Sequence, residues 1–276
     1  MQIIVEFTKM NGAGNDFIVI DNRFYRYSDA ELSGFAQRLC PRRKGIGADG
    51  LLAFNAPDDA GHDFRMRYVN ADGTIGTMCG NGARCLVLFA RRAGMDTSEM
   101  QIETDAGVFR AEGPEGGAVR IYQHALAGYT PHRVLRSMAE MNIADAHYIW
   151  TGTEHLVCFV DRAADIPVGT WGPAIRQDEA LAPAGANIDF VEVVDDGRLL
   201  VRTYEKGVEA ETLACGTGAV ASAVVARMLE RTDADRIDVD MPGGRLTVGF
   251  RLGERGVRDL YLEGPAEVVY RGTFEA

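Results

Sequence analysis

The chain has 276 residues, 46% of them hydrophobic, enough for one large domain or two of ordinary size with real cores, which excludes disorder as the default. A formal net charge of -11 repels nucleic-acid phosphates and anionic membrane surfaces, so neither nucleic acid nor membrane is an expected partner. No stretch approaches the roughly twenty apolar residues that span a bilayer, and the segment Met1 to Phe7 lacks a basic flank and a cleavage site, so the expected compartment is the cytoplasm.

In chain order, a polar loop feeding an apolar strand comes first, from Gly12 to Asp21. A second follows from Gly45 to Leu52, then an alternating strand from Phe64 to Val69, then Cys79-Gly80-Asn81-Gly82-Ala83. A helix is predicted from Ala83 to Arg92, stopping at Gly94. The same order then recurs. Gly152 to Asp161 resembles Gly12 to Asp21, and Gly185 to Val191 answers Gly45 to Leu52. Leu199 to Tyr204 precedes Cys215-Gly216-Thr217-Gly218-Ala219, and a second helix is predicted from Ala219 to Arg231. Repeats of this size are domain-sized.

The predicted fold is therefore α/β (α+β): two pseudo-symmetric domains, each a mixed or antiparallel sheet wrapped around a central helix, with the active site in the cleft between them. The domains are expected at 1–120, carrying Cys79, and 121–276, carrying Cys215, with the boundary near Gly113 to Pro131 and the extreme C-terminal strands packing back on the first half. Both predicted helices begin almost wholly apolar, as a buried helix does.

A cysteine before a helix start, followed by glycine, sits where free backbone N–H groups and the positive end of the helix dipole converge. Those groups favour a thiolate and can hold a substrate carboxylate. Two such motifs put two thiols and two anion-binding helix ends on opposite walls of a cleft. An epimerase needs a base on one face of a carbon and an acid of similar pKa on the other, and a thiolate–thiol pair meets that need without metal or organic cofactor. Cys40, Cys85 and Cys158 read as packing residues. The odd cysteine count and the absence of a close CxxC pair point to free thiols rather than a disulfide framework.

At these residues the sequence resembles the diaminopimelate epimerase family over nearly its whole length. Lys9 to Phe17 is similar to the family's opening motif. Asn70-Ala71-Asp72-Gly73 with Met78 to Cys85 is similar to its first cysteine motif, and Arg202 to Gly207, Glu211-Thr212 and Ala214 to Gly218 to its second. The resemblance implies cofactor-independent interconversion of LL- and meso-diaminopimelate in lysine and peptidoglycan-precursor biosynthesis, by a homodimer binding a zwitterionic amino acid. It implies that Cys79 and Cys215 are the acid/bases and that Gly80, Asn81, Gly216 and Thr217 hold the reacting carboxylate. Asn15, Asn70, Asn187 and Glu205 would hold the amino groups and the far end. His155 would poise Cys79, Glu205 would poise Cys215, and Thr153 would make a distal contact. The chain departs from the commonest family pattern at Gly50, where glutamine is frequent, at Gly152-Thr153-Glu154-His155, and at Lys206, where arginine is usual. Lysine can neutralise a distal carboxylate but lacks the planar fork of arginine.

The residues themselves leave other readings open. These are a related racemase acting on another amino acid such as histidine or proline, a thiol redox or metal-binding module, and a non-catalytic amino-acid-binding protein. A zinc site would need four ligands, and His155 with the two cysteines supplies three.

Overall fold

The computed structural model describes residues 3–95, 98–113, 118–124, 126–254 and 256–276. Met1 and Gln2, the first residues of the segment read for an export signal, lie outside the described residues, as do 114–117 and 125 within the expected boundary region. The chain forms two compact units, Met1–Tyr122 with Glu263–Ala276, and Gln123–Leu262.

The first unit contains β1 (Ile4–Gly12), β2 (Asn15–Asp21), α1 (Asn22–Tyr25), α2 (Asp29–Leu39), β3 (Gly50–Asn55), β4 (Phe64–Asn70), β5 (Ile75–Gly76), α3 (Gly80–Arg92), β6 (Glu99–Thr104), β7 (Gly107–Glu112) and β8 (Ala118–Tyr122). The second contains β9 (Ala127–Thr130), β10 (Ala146–Trp150), β11 (Glu154–Phe159), α4 (Val168–Arg176), β12 (Asn187–Asp195), β13 (Arg198–Glu205), β14 (Ala210–Thr212), α5 (Gly216–Met228), β15 (Arg236–Met241) and β16 (Gly244–Gly253). The chain ends with β17 (Gly256–Pro265) and β18 (Glu267–Glu275), and β18 pairs antiparallel with β1.

Strand pairing repeats between the units. In the first, β1–β2 is antiparallel, β2–β3 parallel, β3–β4 antiparallel, β4–β6 parallel and β6–β7 antiparallel. In the second, β10–β11, β11–β12, β12–β13, β13–β15 and β15–β16 follow the same sequence of senses. The expected mixed sheet with a central helix is what each unit forms.

The sheets are apolar on both faces, as strands covered twice must be. In β2, Phe17 and Val19 pack with Leu86 and Val87 of α3, while Ile18 and Ile20 pack with Leu32 and Phe35 of α2. In the second unit, Leu156 and Cys158 of β11 and Ile188 and Phe190 of β12 cover Ile175 of α4. Every residue of α5 from Gly218 to Ala226 is buried, so this helix is enclosed on all sides. Cys40, Cys85 and Cys158 are buried, as packing residues are. No helix among the described residues is long and apolar enough to cross a membrane.

Both central helices begin earlier than the sequence predicts, at the glycine after each cysteine rather than at Ala83 and Ala219. Glycine is a poor helix former, so propensity argues against a first turn of Gly-x-Gly. Packing decides otherwise: a Cβ on Gly218 would lie 2.5 Å from Asp189 Oδ1, and one on Gly82 3.0 Å from Leu52 Cδ2. The second helix also ends at Met228, short of Arg231, because Glu230 turns left-handed at φ 55°.

Candidate active site

In the first unit, Cys79 is the N-cap of α3, with extended backbone and no side-chain capping bond of its own. The residue at the position whose side chain usually caps the first-turn N–H groups is here a thiol. The half-exposed Cys79 Sγ lies 3.7 Å from Asn15 Oδ1, which also accepts from Asn81 Nδ2 at 3.3 Å. Asn15 donates to Asp49 Oδ2 at 2.7 Å, and Arg42 ties Asp49 to Asp16. The β1–β2 hairpin that carries Asn15 turns through Ala13 and Gly14, both at positive φ, the signature of a tight two-residue turn. The structure thus brings Asn15, Cys79 and Asn81 together. Asn70 ends β4 and donates to Thr74 Oγ1 at 2.9 Å, closing its own turn.

Gly50 lies opposite Asn70 in the β3–β4 ladder. A Cβ there would meet Tyr68 Cε2 at 2.7 Å and the Val69 carbonyl oxygen at 2.8 Å. The ring of Tyr68 fills the space that a longer residue at this departure would take.

In the second unit, Cys215 is the N-cap of α5 in the same way, with the Gly218 backbone N–H of the first turn bearing on its thiol. It is 5% exposed, and its Sγ lies 3.5 Å from Thr217 Oγ1. Burial, followed by the nearby Glu205 and Asp189 carboxylates, pushes this thiol well above its ordinary value. His155 and Asp189 are wholly buried and joined by a 2.7 Å contact from Nδ1 to Oδ2. That contact places the proton on Nδ1, and Nε2, 3.4 Å from Asn187 Nδ2, is then the acceptor. Thr203 Oγ1 donates to the other Asp189 oxygen at 2.7 Å. Burial also raises Glu205.

Asn187 is fully engaged: Nδ2 donates to the Glu154 carbonyl at 3.0 Å and Oδ1 accepts from the Lys206 backbone N–H at 2.8 Å. The Lys206 ammonium is paired with the Glu154 carboxylate, which also accepts from Thr153 Oγ1 at 3.2 Å. Thr151 Oγ1 donates to the Thr217 carbonyl at 3.1 Å, tying the β10–β11 turn to the first turn of α5. In this unit the structure brings together Thr153, His155, Asn187, Glu205, Lys206 and the Gly216–Thr217 turn.

Several site residues were not singled out from sequence. Asp49 and Asp189 hold the expected residues in place, and Arg84 is a fully buried guanidinium in α3 that donates to Asn81 Oδ1 at 2.6 Å. The available signal for Asp189 is an acid within an apolar strand; for Arg84 it is a single cation among the apolar residues with which the helix begins. Elsewhere, His132, Asp145 and His147 bring three ligand atoms within 4.8 Å of one another, and Arg231 also contacts the Asp145 carboxylate.

The sequence model of the family described as diaminopimelate epimerase matches residues 7–123 and 147–269. Similar curated relatives include a diaminopimelate epimerase of Chlorobaculum tepidum, 40% identical over 267 residues, covering 96% of this chain and 99% of the relative. One of Flavobacterium psychrophilum is 36% identical over 266 residues, covering 96% and 98%. Among solved structures, a Bacillus anthracis phenazine biosynthesis protein of the PhzF family superposes with TM-score 0.74 at 15% identity, covering 99% of both chains. A hydroxyproline epimerase from Agrobacterium vitis superposes with TM-score 0.68 at 14% identity, covering 99% of this chain and 92% of that one; these two show the shared fold. With the family model spanning both units and the curated relatives nearly the whole length, this chain belongs to the diaminopimelate epimerase family and is an isomerase.

Proposed function

We propose that the chain interconverts LL- and meso-diaminopimelate by two-base proton transfer, with Cys79 and Cys215 as the two acid/bases, in lysine and peptidoglycan-precursor biosynthesis. The observation that supports this reading is the matched placement of the two cysteines: each is the N-cap of the central helix of its unit. The names of the curated relatives supply the substrate.

In the proposed reaction a thiolate removes the α-proton from one face of the substrate, forming an S–H bond as the C–H bond breaks. The electron pair spreads into the α-carboxylate, held by first-turn N–H groups at Gly80–Asn81 and Gly216–Thr217, whose dipoles oppose the growing charge. The opposite thiol then gives its proton to the other face, so the two sulfurs exchange protonation states in each turnover. Asn15 aligns the Cys79 sulfur, and the His155–Asp189–Asn187 chain and Glu205 form the polar wall beside Cys215. Lys206, with Glu154, Thr153 and Asn70, serves the far zwitterionic end. The cytoplasm is the compartment we assign, a reading supported by five free cysteines.

The test is proton NMR in deuterated water of the purified protein with LL-diaminopimelate, and with histidine, proline and glutamate in parallel. Loss of the α-proton signal from diaminopimelate alone, with formation of the meso isomer, is expected. Exchange of another amino acid in its place would overturn the substrate, and exchange of none would overturn the activity.

A further inference from the structure

In the second unit β9 and β10 pair antiparallel, with Thr130 opposite Tyr148, so the residues just past the end of β9 fall beside the start of β10. The backbone there is joined by a 2.7 Å bond from the Arg133 N–H to the Ala146 carbonyl. This pairing gathers three side chains, His132, Asp145 and His147, whose ligand atoms lie within 4.8 Å of one another. Asp145 Oδ1 is where they meet: His147 Nε2 lies 2.7 Å from it and His132 Nδ1 3.8 Å. The other carboxylate oxygen, Oδ2, is taken by Arg231, which leaves Oδ1 to the two imidazoles. His147 is wholly buried, and its second ring nitrogen, Nδ1, lies 3.2 Å from the Tyr129 hydroxyl. The His132 side chain is 74% exposed and free to swing toward its neighbours.

Two imidazole nitrogens and one carboxylate oxygen are a three-ligand set for a borderline divalent cation, with water in the remaining position. Imidazole suits zinc, nickel and copper, whereas magnesium and calcium take oxygen sets. Ligand atoms around tetrahedral zinc stand roughly 3.3 Å apart, given bonds of about 2.0–2.1 Å. The separations of 2.7 and 3.8 Å from Asp145 Oδ1 bracket that spacing, so a small inward turn of His132 and a slight opening of the His147–Asp145 contact are enough. A metal-bound imidazole normally gives its other N–H to an oxygen, and Tyr129 supplies one beside Nδ1. Binding places the ion between Nε2 and the carboxylate and leaves the ring proton on Nδ1, which gives up the long 3.5 Å contact from the His132 backbone N–H. The Arg231 charge opposes the ion from the far carboxylate oxygen, so affinity rests on the imidazoles.

We propose that His132, Asp145 and His147 form a binding site for one divalent transition-metal ion of the zinc class, with solvent completing its coordination. Arg231 lies just past the end of α5 and Cys215 at its start, and 13 helical residues at about 1.5 Å each put the two roughly 20 Å apart. The ion therefore stands apart from the proposed proton transfer, and the inference does not rest on it. Bound, the ion ties the turn after β9 to the start of β10 and stabilises the second unit by binding its folded form.

The experiment titrates zinc chloride into the full chain, prepared without a histidine tag, and follows the imidazole resonances in long-range proton–nitrogen NMR spectra beside isothermal calorimetry. The chain has five histidines, so three serve as internal controls. One equivalent of zinc is expected to bind and to shift His132 and His147, with His62, His124 and His155 unmoved, and magnesium chloride is expected to move none of the five. H132N removes the exposed imidazole and keeps a residue type that tolerates the left-handed backbone at φ 48°. It should weaken zinc binding by about tenfold or more and leave the zinc-free melting temperature unchanged. Absence of zinc binding, or binding with His132 and His147 unmoved, overturns the proposal whether or not the variant folds. Movement of His155 in place of His132 and His147 would put the zinc beside Cys215 and overturn it equally, as would undiminished affinity in folded H132N. An equal response to magnesium would overturn the assigned class of ion.

Discussion

Glycines at the two helix starts show how single residues shape the site. Gly218 sits against Asp189 Oδ1 and Thr203 Oγ1, so Gly218→Ala is expected to lower stability by about 1–3 kcal/mol in urea titration, the cost of overpacking a filled core. Gly169 in α4 has nothing within reach of an added Cβ, and Gly169→Ala should raise stability by about 0.5 kcal/mol through helix propensity alone. Equal effects at the two positions would contradict this packing account. The placement of Cys79 and Cys215 at helix starts was legible in the sequence because glycine-rich motifs recur at matching points before apolar helices. Asp189 and Arg84 were not, because hydropathy patterns mark a charged residue as exposed, and both are buried.

Among the elements, α2 and α4 escaped sequence reading for different reasons. The 11 residues of α2 carry three charges and Gly34. Its start depends on a capping box in which Ser28 and Glu31 satisfy each other's backbone, and Ser28→Ala is expected to cost about 1 kcal/mol in thermal unfolding. In α4, Gly169, Thr170, Gly172 and Pro173 all argue against a helix. Gly172 is required there, since a Cβ would lie 2.4 Å from Tyr204 Cγ of β13. Strands fared better, because runs such as Phe17 to Ile20 are apolar on both faces and bounded by turns.

The β2 and β6 strands also carry the acid-sensitive contacts. Burial acts to raise Asp16, but hydrogen bonds from Arg42 and Lys9 outweigh it and bring the carboxyl down to about 2. Glu103, likewise buried, is brought to about 2 by the backbone N–H groups of Asp58 and Asp59 and by His62. A carboxyl held below its ordinary value in the folded chain contributes fully above that value, near 4, and the contribution is lost as pH falls through about 2. Melting temperature should therefore fall between about pH 4 and pH 2, and more gently in Asp16→Asn; an identical slope in that variant would contradict the assignment.

At the scale of the molecule, the two units share one order of strand pairing and one central helix, and the repeat was visible in the sequence because its loops recur at a constant offset. What the repeat does not copy is the buried cation, since Asp49 and Asp189 stand at answering positions of the two halves. The helix start at Cys79 has a buried arginine beneath it, while the one at Cys215 has Asp189 and Glu205. On the proposed mechanism, Cys79→Ala and Cys215→Ala should each reduce epimerisation by about 10²–10⁴-fold or more, the span attributed to a positioned acid or base. Normal turnover by either variant would contradict two-base transfer.

Two-base transfer is tested most directly by following LL-diaminopimelate turnover in deuterated water and measuring, by mass spectrometry at early times, deuterium in the product and in the unreacted substrate. Each face has its own sulfur, so the account predicts that meso product carries one solvent deuterium while the remaining LL substrate carries almost none. Early deuterium in the unreacted LL substrate at a level matching the product would mean that one group serves both faces, and would contradict it.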